Sequence, residues 1–551
     1  RATNPKLQLI IDEKFDEFEE LLNEEPRLAT IRWGYYADKP DPLNPMNPPP
    51  RGGPSALELA AKHGSLELVK RLATPEVLAD ESLGQAALEN AANVEVAQAL
   101  IDAGVKIPPA DASGLASPNR IAAERGDLDF CKWLRAQSPD AQLDVEVVNG
   151  QYWRPIGFAC ENGHLDVVKW FAAQGVPLTL IPGTLEDESG WGIYSAGSSP
   201  LARAAAGGRI EVIRYLLANG AREDLNLATR DSPGAKKRFA LSPALGNAAA
   251  NGHVDAAGLL LDEGAQVTSR LGLNPLHLAA LNGQEDAFNL LLERGAKIDT
   301  TKYPTRVGDT NYIDLLCCAV RGGNVAIFEQ VIDNWPHDWL TDEDCSDMYA
   351  WYQGRGPLAV AVSADHVELV KRMLELSETA DAADRQIALN HALATAVETN
   401  NAAMVKLLHE AGAPLDEPLT SPSPGGKEDS QSPIARGAAH GSCEVLRYLA
   451  QQEICVDERD EAGRTLLHRV YRKEFAPQPK LFADKAFRLQ VIECLLELGA
   501  SPQAKDKAGR SILHDAVCHL EPDEVSLLLD HRASPMVHDA QGETPAAHFQ
   551  R

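Results

Sequence analysis

The sequence predicts an all-α fold, a solenoid of helix-turn-helix units joined by long hairpin loops, and three observations carry that expectation. One line of residues keeps returning along the 551-residue chain. Ser-Pro or Thr-Pro pairs open many of its copies, and Gly-Ala closes others. Composition agrees, because 44% of residues are apolar but only 6% aromatic, which means an interior of Ala, Leu, Val and Ile, the small side chains that closely stacked helices need.

Each unit can be built in order. Ser or Thr before Pro recurs at Ser117-Pro118, Ser199-Pro200, Ser242-Pro243, Ser432-Pro433 and Thr544-Pro545. The hydroxyl caps free N–H groups of a first turn, and Pro at the first helical position loses no hydrogen bond there. About two turns later comes Gly or Asn, as at Gly163, Gly208, Gly252, Gly283 and Gly441, where a left-handed residue ends the helix and reverses the chain. A second amphipathic stretch follows, such as Leu165 to Phe171 or Val254 to Leu261, ending at Gly220-Ala221, Gly264-Ala265, Gly295-Ala296 or Gly499-Ala500. One such pair cannot bury both its faces, so neighbours must stack.

The clearest copy is NPLHLAALNGQEDAFNLLLERGAKID from Asn274, beside RPIGFACENGHLDVVKWFAAQGV from Arg154, SPLARAAAGGRIEVIRYLLANGA from Ser199 and SPIARGAAHGSCEVLRYLA from Ser432. This line resembles the ankyrin repeat, with its T-P-L-H-x-A opening and terminal G-A, over essentially the whole chain. The resemblance implies an ankyrin-type solenoid, a role in binding other proteins, and finger-like hairpins projecting beside a concave face. Mid-repeat glycines at 163, 208, 252, 283 and 323 stand further apart than the family's unit in most intervals, which is about 33 residues. The extra residues fall in the fingers. Only the last three connectors, from Asp457, Ala504 and Val537, keep the family's compact D-x-x-G-x-T/S form, and an insertion from Lys473 to Lys485 divides one unit between its helices. Residues 1–54 read as a capping helix, with Phe15, Phe18, Leu21 and Leu22 on one face, followed by a long Pro-rich loop. Residues 55–551 read as a continuous array of about twelve or more units, the last incomplete at GETPAAHFQR.

Charge and cysteines narrow the function. A formal charge of −28 repels nucleic acid and anionic lipid and favours a basic partner. Nothing approaches the roughly 20 unbroken apolar residues of a membrane helix. The short run Lys236, Lys237, Arg238 reads as a solvated loop tip. Nine cysteines without CxxC spacing suit free thiols in a reducing compartment, so an intracellular protein, cytoplasmic or nuclear, is expected.

Candidate recognition residues lie in the fingers. Trp33, Tyr35 and Tyr36 occupy one, Trp153 another beside Tyr152, Trp191 and Tyr194 a third, and Trp335, Trp339, Trp351 and Tyr352 a fourth. Six of the eight tryptophans are thus in connectors, leaving Trp133 and Trp170 on second helices. Aromatics on loops held by a rigid scaffold form recognition surfaces, although the same residues also serve to anchor an insertion. In the fourth finger, Thr341 and Asp344 resemble a capping box for a short helix from Asp342 to about Tyr352, with Met348, Trp351 and Tyr352 on one face.

Catalytic candidates are weaker. His277, His468 and His514 fill the T-P-L-H position, and His164, His253 and His366 open second helices, so the repeat explains all six. Asp342, Glu343, Asp344 and Asp347 suit a first helical turn better than a cation. Cys345 with His337 has no visible orienting group, and TSPSPGGKEDSQS from Thr420 reads as a polar loop open to modification. No cofactor or metal is expected, and nothing in the pattern sets an oligomeric state. The expected function is a scaffold binding a basic or extended polypeptide along its concave face and fingers. The alternative is an enzyme, or a small-molecule binder, whose fingers enclose an aromatic and carboxylate pocket.

Overall fold

The computed structural model describes residues 9–10, 14–29, 54–107, 118–137, 146–148, 151–179, 199–225, 244–268, 274–299, 303–304, 312–335, 339–340, 355–422, 428–472, 484–519 and 522–549. The chain divides into two compact units. One comprises residues 1–275 with 289–295 and 306–308, and the other residues 276–288, 296–305 and 309–551.

The first unit is a run of helix pairs: Ala56–Lys62 with Leu66–Leu72, Glu81–Asn90 with Val94–Asp102, Pro118–Arg125 with Leu128–Gln137, Pro155–Asn162 with Leu165–Ala173, Pro200–Ala206 with Ile210–Ala218, and Ala244–Ala250 with Val254–Asp262. The second unit repeats the scheme: Leu315–Gly322 with Val325–Ile332, Gly356–Ser363 with Val367–Ser377, Ala382–Glu398 with Ala402–Glu410, Pro433–His440 with Cys443–Gln451, Leu466–Arg469 with Lys485–Glu497, and Ile512–Cys518 with Pro522–Asp530. The helix Pro545–Phe549 follows. The pair Pro275–Leu281 and Glu285–Glu293 lies where the division falls. Near the N-terminus the acidic helix Phe15–Glu24 buries Phe18 and Leu22, while Phe15 and Leu21 of the same expected face are only half-buried. The Pro-rich stretch after it, 30–53, lies outside the described residues.

The capping chemistry is as the sequence reads. Ser199 accepts from the Ala202 N–H at 3.2 Å and Ser432 from that of Ala435 at 3.2 Å, with Pro first in each helix. Thr465 and Ser511 each form a capping box whose partner, the third helical residue, is histidine: His468 and His514 accept from the cap N–H through Nδ1 at 3.3 and 3.1 Å. Their Nε2–H groups donate to the carbonyls of Arg510 and Glu543, at 3.0 and 3.3 Å. Each histidine therefore ties its helix to the next finger.

First helices pack on first helices of the neighbouring pairs, and second on second. Fully buried Ala159, Ala204, Ala205, Ala248 and Ala249 let the backbones approach. The mid-repeat glycine is a seat for the next unit. Gly126, Gly208 and Gly323, at φ between 67° and 77°, lie under the imidazoles of His164, His253 and His366, and an added Cβ would come within 2.3–2.7 Å of those rings. Each ring donates from Nε2 to a carbonyl of the preceding unit: Glu124 at 3.0 Å, Ala206 at 2.9 Å and Arg321 at 2.7 Å. Asn400 takes the left-handed position at φ 56°, and its Oδ1 accepts from the N–H groups of Glu444 and Val445.

Fingers come in two kinds. In the compact ones Asp460, Asp506 and Asp539 each accept two N–H bonds from their own turn, and each turn bonds the next: Lys507 N–H to Ala462 O at 3.0 Å, Ala540 N–H to Ala508 O at 2.9 Å. Among the described longer ones, three carry short antiparallel strand pairs, Glu146–Val148 with Gln151–Trp153, Tyr303–Pro304 with Tyr312–Ile313, and Leu419–Pro422 with Glu428–Gln431. The insertion in the C-terminal unit ends one residue earlier than its sequence suggests. Asp484 caps the helix that Lys485 begins.

The seats generate a prediction. Gly208→Ala carries both backbone strain and the imidazole clash, whereas Gly264→Ala, at φ 99° with open space around its Cβ, carries strain alone. In urea denaturation Gly264→Ala should cost about 1 kcal/mol and Gly208→Ala about 2–3 kcal/mol or more. Equal costs would mean that the histidine does not need the seat.

Candidate partner-binding surface

In the first unit a row of side chains runs across three successive first helices. Phe158, half-buried, has the Arg120 and Arg203 guanidiniums each 5.1 Å from its ring centroid. Both distances suit cation–π attraction. Arg203 also donates to the Glu161 carboxylate, one helix turn beyond Phe158. Both guanidiniums lie over the ring, so the row is a cation–π stack that links three first helices.

A related arrangement occurs in the second unit. Arg436 stands in SPIAR where Arg203 stands in SPLAR, and it reaches the preceding unit's Glu398 as Arg203 reaches Glu161. Glu398 accepts from Arg355 at 2.7 and 3.0 Å and from Arg436 at 2.7 Å, its side chain only 8% exposed. Thr395 accepts a further 3.2 Å bond from Arg355. Burial alone would raise the Glu398 carboxyl, but the bonds and charge of Arg355, with His440 and Arg436, outweigh it and hold the group below its ordinary range. Two cations thus clasp one anion across three repeats.

The finger aromatics divide by what holds them. Trp339 meets the buried Phe328 edge-on, with centroids 5.3 Å apart and planes at 85°. The neighbouring Leu340 is buried, and its carbonyl lies 3.3 Å from where a Cβ on Gly356 would stand. Trp339 is therefore an anchor of its finger. Trp335 is half-buried at the end of the Val325–Ile332 helix, and its indole N–H has no hydrogen-bond partner among the described residues. Trp153 ends a strand, opposite Glu146. Arg154, next in sequence, is buried and donates to the carbonyls of Thr179 at 2.8 Å and Pro177 at 2.6 Å. That clamp fastens the root of the finger carrying Trp191 and Tyr194. Trp33, Tyr35, Tyr36, Trp191, Tyr194, Trp351 and Tyr352 lie outside the described residues, as do the inserted helix from Asp342, its acids, Cys345 and His337.

The Arg120–Phe158–Arg203 row and the Glu398 clasp were not singled out from sequence. Their signal is the Arg four residues after the capping serine in SPLAR and SPIAR, which the repeat comparison displays but which periodicity alone does not distinguish from a solvated face. A shallow cleft of about 530 Å³ also lies over the second helix Ile210–Ala218, lined by Arg214, Leu217 and the Arg222–Glu263 ion pair. It contains no aromatic side chain. Among the described residues no group of His, Cys, Asp and Glu has the spacing to hold a metal ion, and no helix is long and apolar enough to cross a membrane.

Residues 120–229 and 230–302 match the family model for ankyrin repeats in three copies. Among solved structures, the ankyrin repeat domain of human ASB11 is 23% identical, covering 55% of this chain and all of that one, with a TM-score of 0.26, too low to support a shared overall geometry. No curated protein matches the chain.

The clasp makes a stability prediction. Glu398→Gln leaves two buried guanidiniums without their anion and should cost about 3 kcal/mol near pH 7. Because the folded carboxyl titrates below its unfolded value of about 4.3, its contribution is present above that pH and lost as pH falls through the folded value. The gap between wild type and Glu398→Gln in denaturation midpoint should therefore close on acidification; a gap independent of pH would refute the ionised clasp.

Proposed function

Since residues 120–302 match the ankyrin repeat family, we propose that the chain is an ankyrin-type interaction scaffold that holds a basic, extended polypeptide along its first-helix face and its aromatic fingers. Ankyrin repeats are generally protein–protein interaction modules. The observation that carries the finer reading is the rooting of the long fingers. Trp339 and Leu340 fasten one to the helix pair beside it, and Arg154 fastens another through two carbonyls. Fixed roots of this kind would lower the ordering cost of binding at the finger bases. The charge of −28 selects the sign of the partner and draws it from a distance.

Binding of labelled peptides, measured by fluorescence anisotropy, tests the reading. Extended Lys/Arg-rich peptides should bind more tightly than acidic peptides of the same length, and more weakly as salt rises. Trp335→Ala with Trp351→Ala should reduce affinity at least several-fold while leaving the melting temperature nearly unchanged. Trp339→Ala should instead lower the melting temperature, since it removes the ring from Phe328. A preference for acidic peptides, or undiminished binding by the Trp335/Trp351 double variant, would overturn the proposal.

A further inference from the structure

The second helices of two consecutive units, Cys443–Gln451 and Lys485–Glu497, pack against each other and bring two cysteines together. Cys443 is 7% exposed and Cys494 3%. Cys494 Sγ lies 3.9 Å from the Cys443 carbonyl, so the two cysteines are neighbours across the helix interface. Gln490, one turn before Cys494, points its Nε2 at Cys443 Sγ from 3.8 Å. Cys443 is the first residue of its nine-residue helix, and Arg447 stands one turn along, paired with Glu497 at 3.2 Å. Both thiols are free.

This is not an ordinary pair of core cysteines. Cys131, Cys160, Cys317 and Cys318 are at most 1% exposed, and burial pushes the Cys131 thiol up to about 12 and that of Cys318 well above its ordinary value. The Cys131 and Cys318 thiols are therefore inert at neutral pH. Around Cys443 the balance reverses. The hydrogen bond from the Cys494 thiol holds Cys443 down, against burial, and Gln490 and the Arg447 charge assist while Glu497 opposes, leaving it at about 7. Cys494 is correspondingly pushed up, chiefly by the same bond. Cys443 is thus the more acidic thiol of the two, with Cys494 beside it.

We propose that Cys443 and Cys494 form a redox modification site, in which a peroxide oxidises Cys443 and Cys494 resolves it to a disulfide joining the two second helices. The Cys443 thiolate attacks one oxygen of hydrogen peroxide. An S–O bond forms, the O–O bond breaks, and the departing hydroxide takes up a proton as water. The sulfur of Cys494 then attacks the resulting sulfenic acid. An S–S bond forms, the S–O bond breaks, and the leaving hydroxide carries off the Cys494 proton as a second water. The two thiols together lose two electrons and the peroxide gains them.

The test treats the full chain with hydrogen peroxide, then blocks remaining thiols with iodoacetamide and maps peptides by mass spectrometry without reduction. The expected product is a Cys443–Cys494 linked peptide that dithiothreitol reverses. It should form faster as pH rises through about 7, following the Cys443 thiol. In Cys494→Ser the reaction should stop at a Cys443 sulfenic acid that dimedone traps. The exposed Cys455 and Cys518 serve as internal references. Modification of those two while Cys443 and Cys494 remain alkylated as free thiols would overturn the proposal, as would a disulfide that pairs Cys443 with any other cysteine. The wild-type map is decisive by itself, so a poorly folded variant does not obscure the result.

Discussion

A pair of short helices with apolar residues on both flanks can cover one flank only by meeting another pair. Everything else in this chain follows from that shortage. The flanks must be flat and close, which selects alanine at positions such as Ala159, Ala204 and Ala248, and the turn between the helices must leave room for its neighbour. Glycine supplies the room twice over at Gly126, Gly208 and Gly323, by reaching positive φ and by having no Cβ under the next imidazole. The histidine then returns a hydrogen bond to the unit before it. Stability therefore accumulates across interfaces between repeats, and connectors remain free to lengthen.

That division explains what was legible in the sequence. Caps, left-handed turns and helix periodicity are local, so Ser199-Pro200, Ser432-Pro433, Gly163 and Gly441 could be read residue by residue, and the structure places each where its chemistry requires. The histidines were legible as structural for the same reason. Side-chain partners between units were not legible. Arg203 and Arg436 look like ordinary exposed helix cations until the preceding unit's Glu161 and Glu398 are brought beneath them, and Cys443 and Cys494, 51 residues apart in sequence, meet only through stacking. Trp339 shows the limit from the other side. As a finger tryptophan it reads as a recognition residue, yet Phe328 claims its ring.

The polar contacts between repeats fall into two classes with different consequences. The clasp of Arg355, Glu398 and Arg436 is dry and many-bonded, so it specifies alignment of three helices and penalises the loss of any member. The Arg120–Phe158–Arg203 row is only half-buried, a cation–π stack that joins three first helices at the surface. Enlarged fingers extend the same logic outward. Their roots are fixed by packing, as with Leu340, or by carbonyl clamps, as with Arg154, and a strongly acidic surface supplies long-range attraction.

Hydrogen–deuterium exchange of the full chain, free and saturated with a basic extended peptide, tests most directly whether the stacked array is a scaffold for a polypeptide. The account predicts added protection in the first helices and in the fingers, above all at the 335–356 connector, with second helices unchanged. Protection confined to second helices, or exchange that is the same with and without peptide, would contradict it.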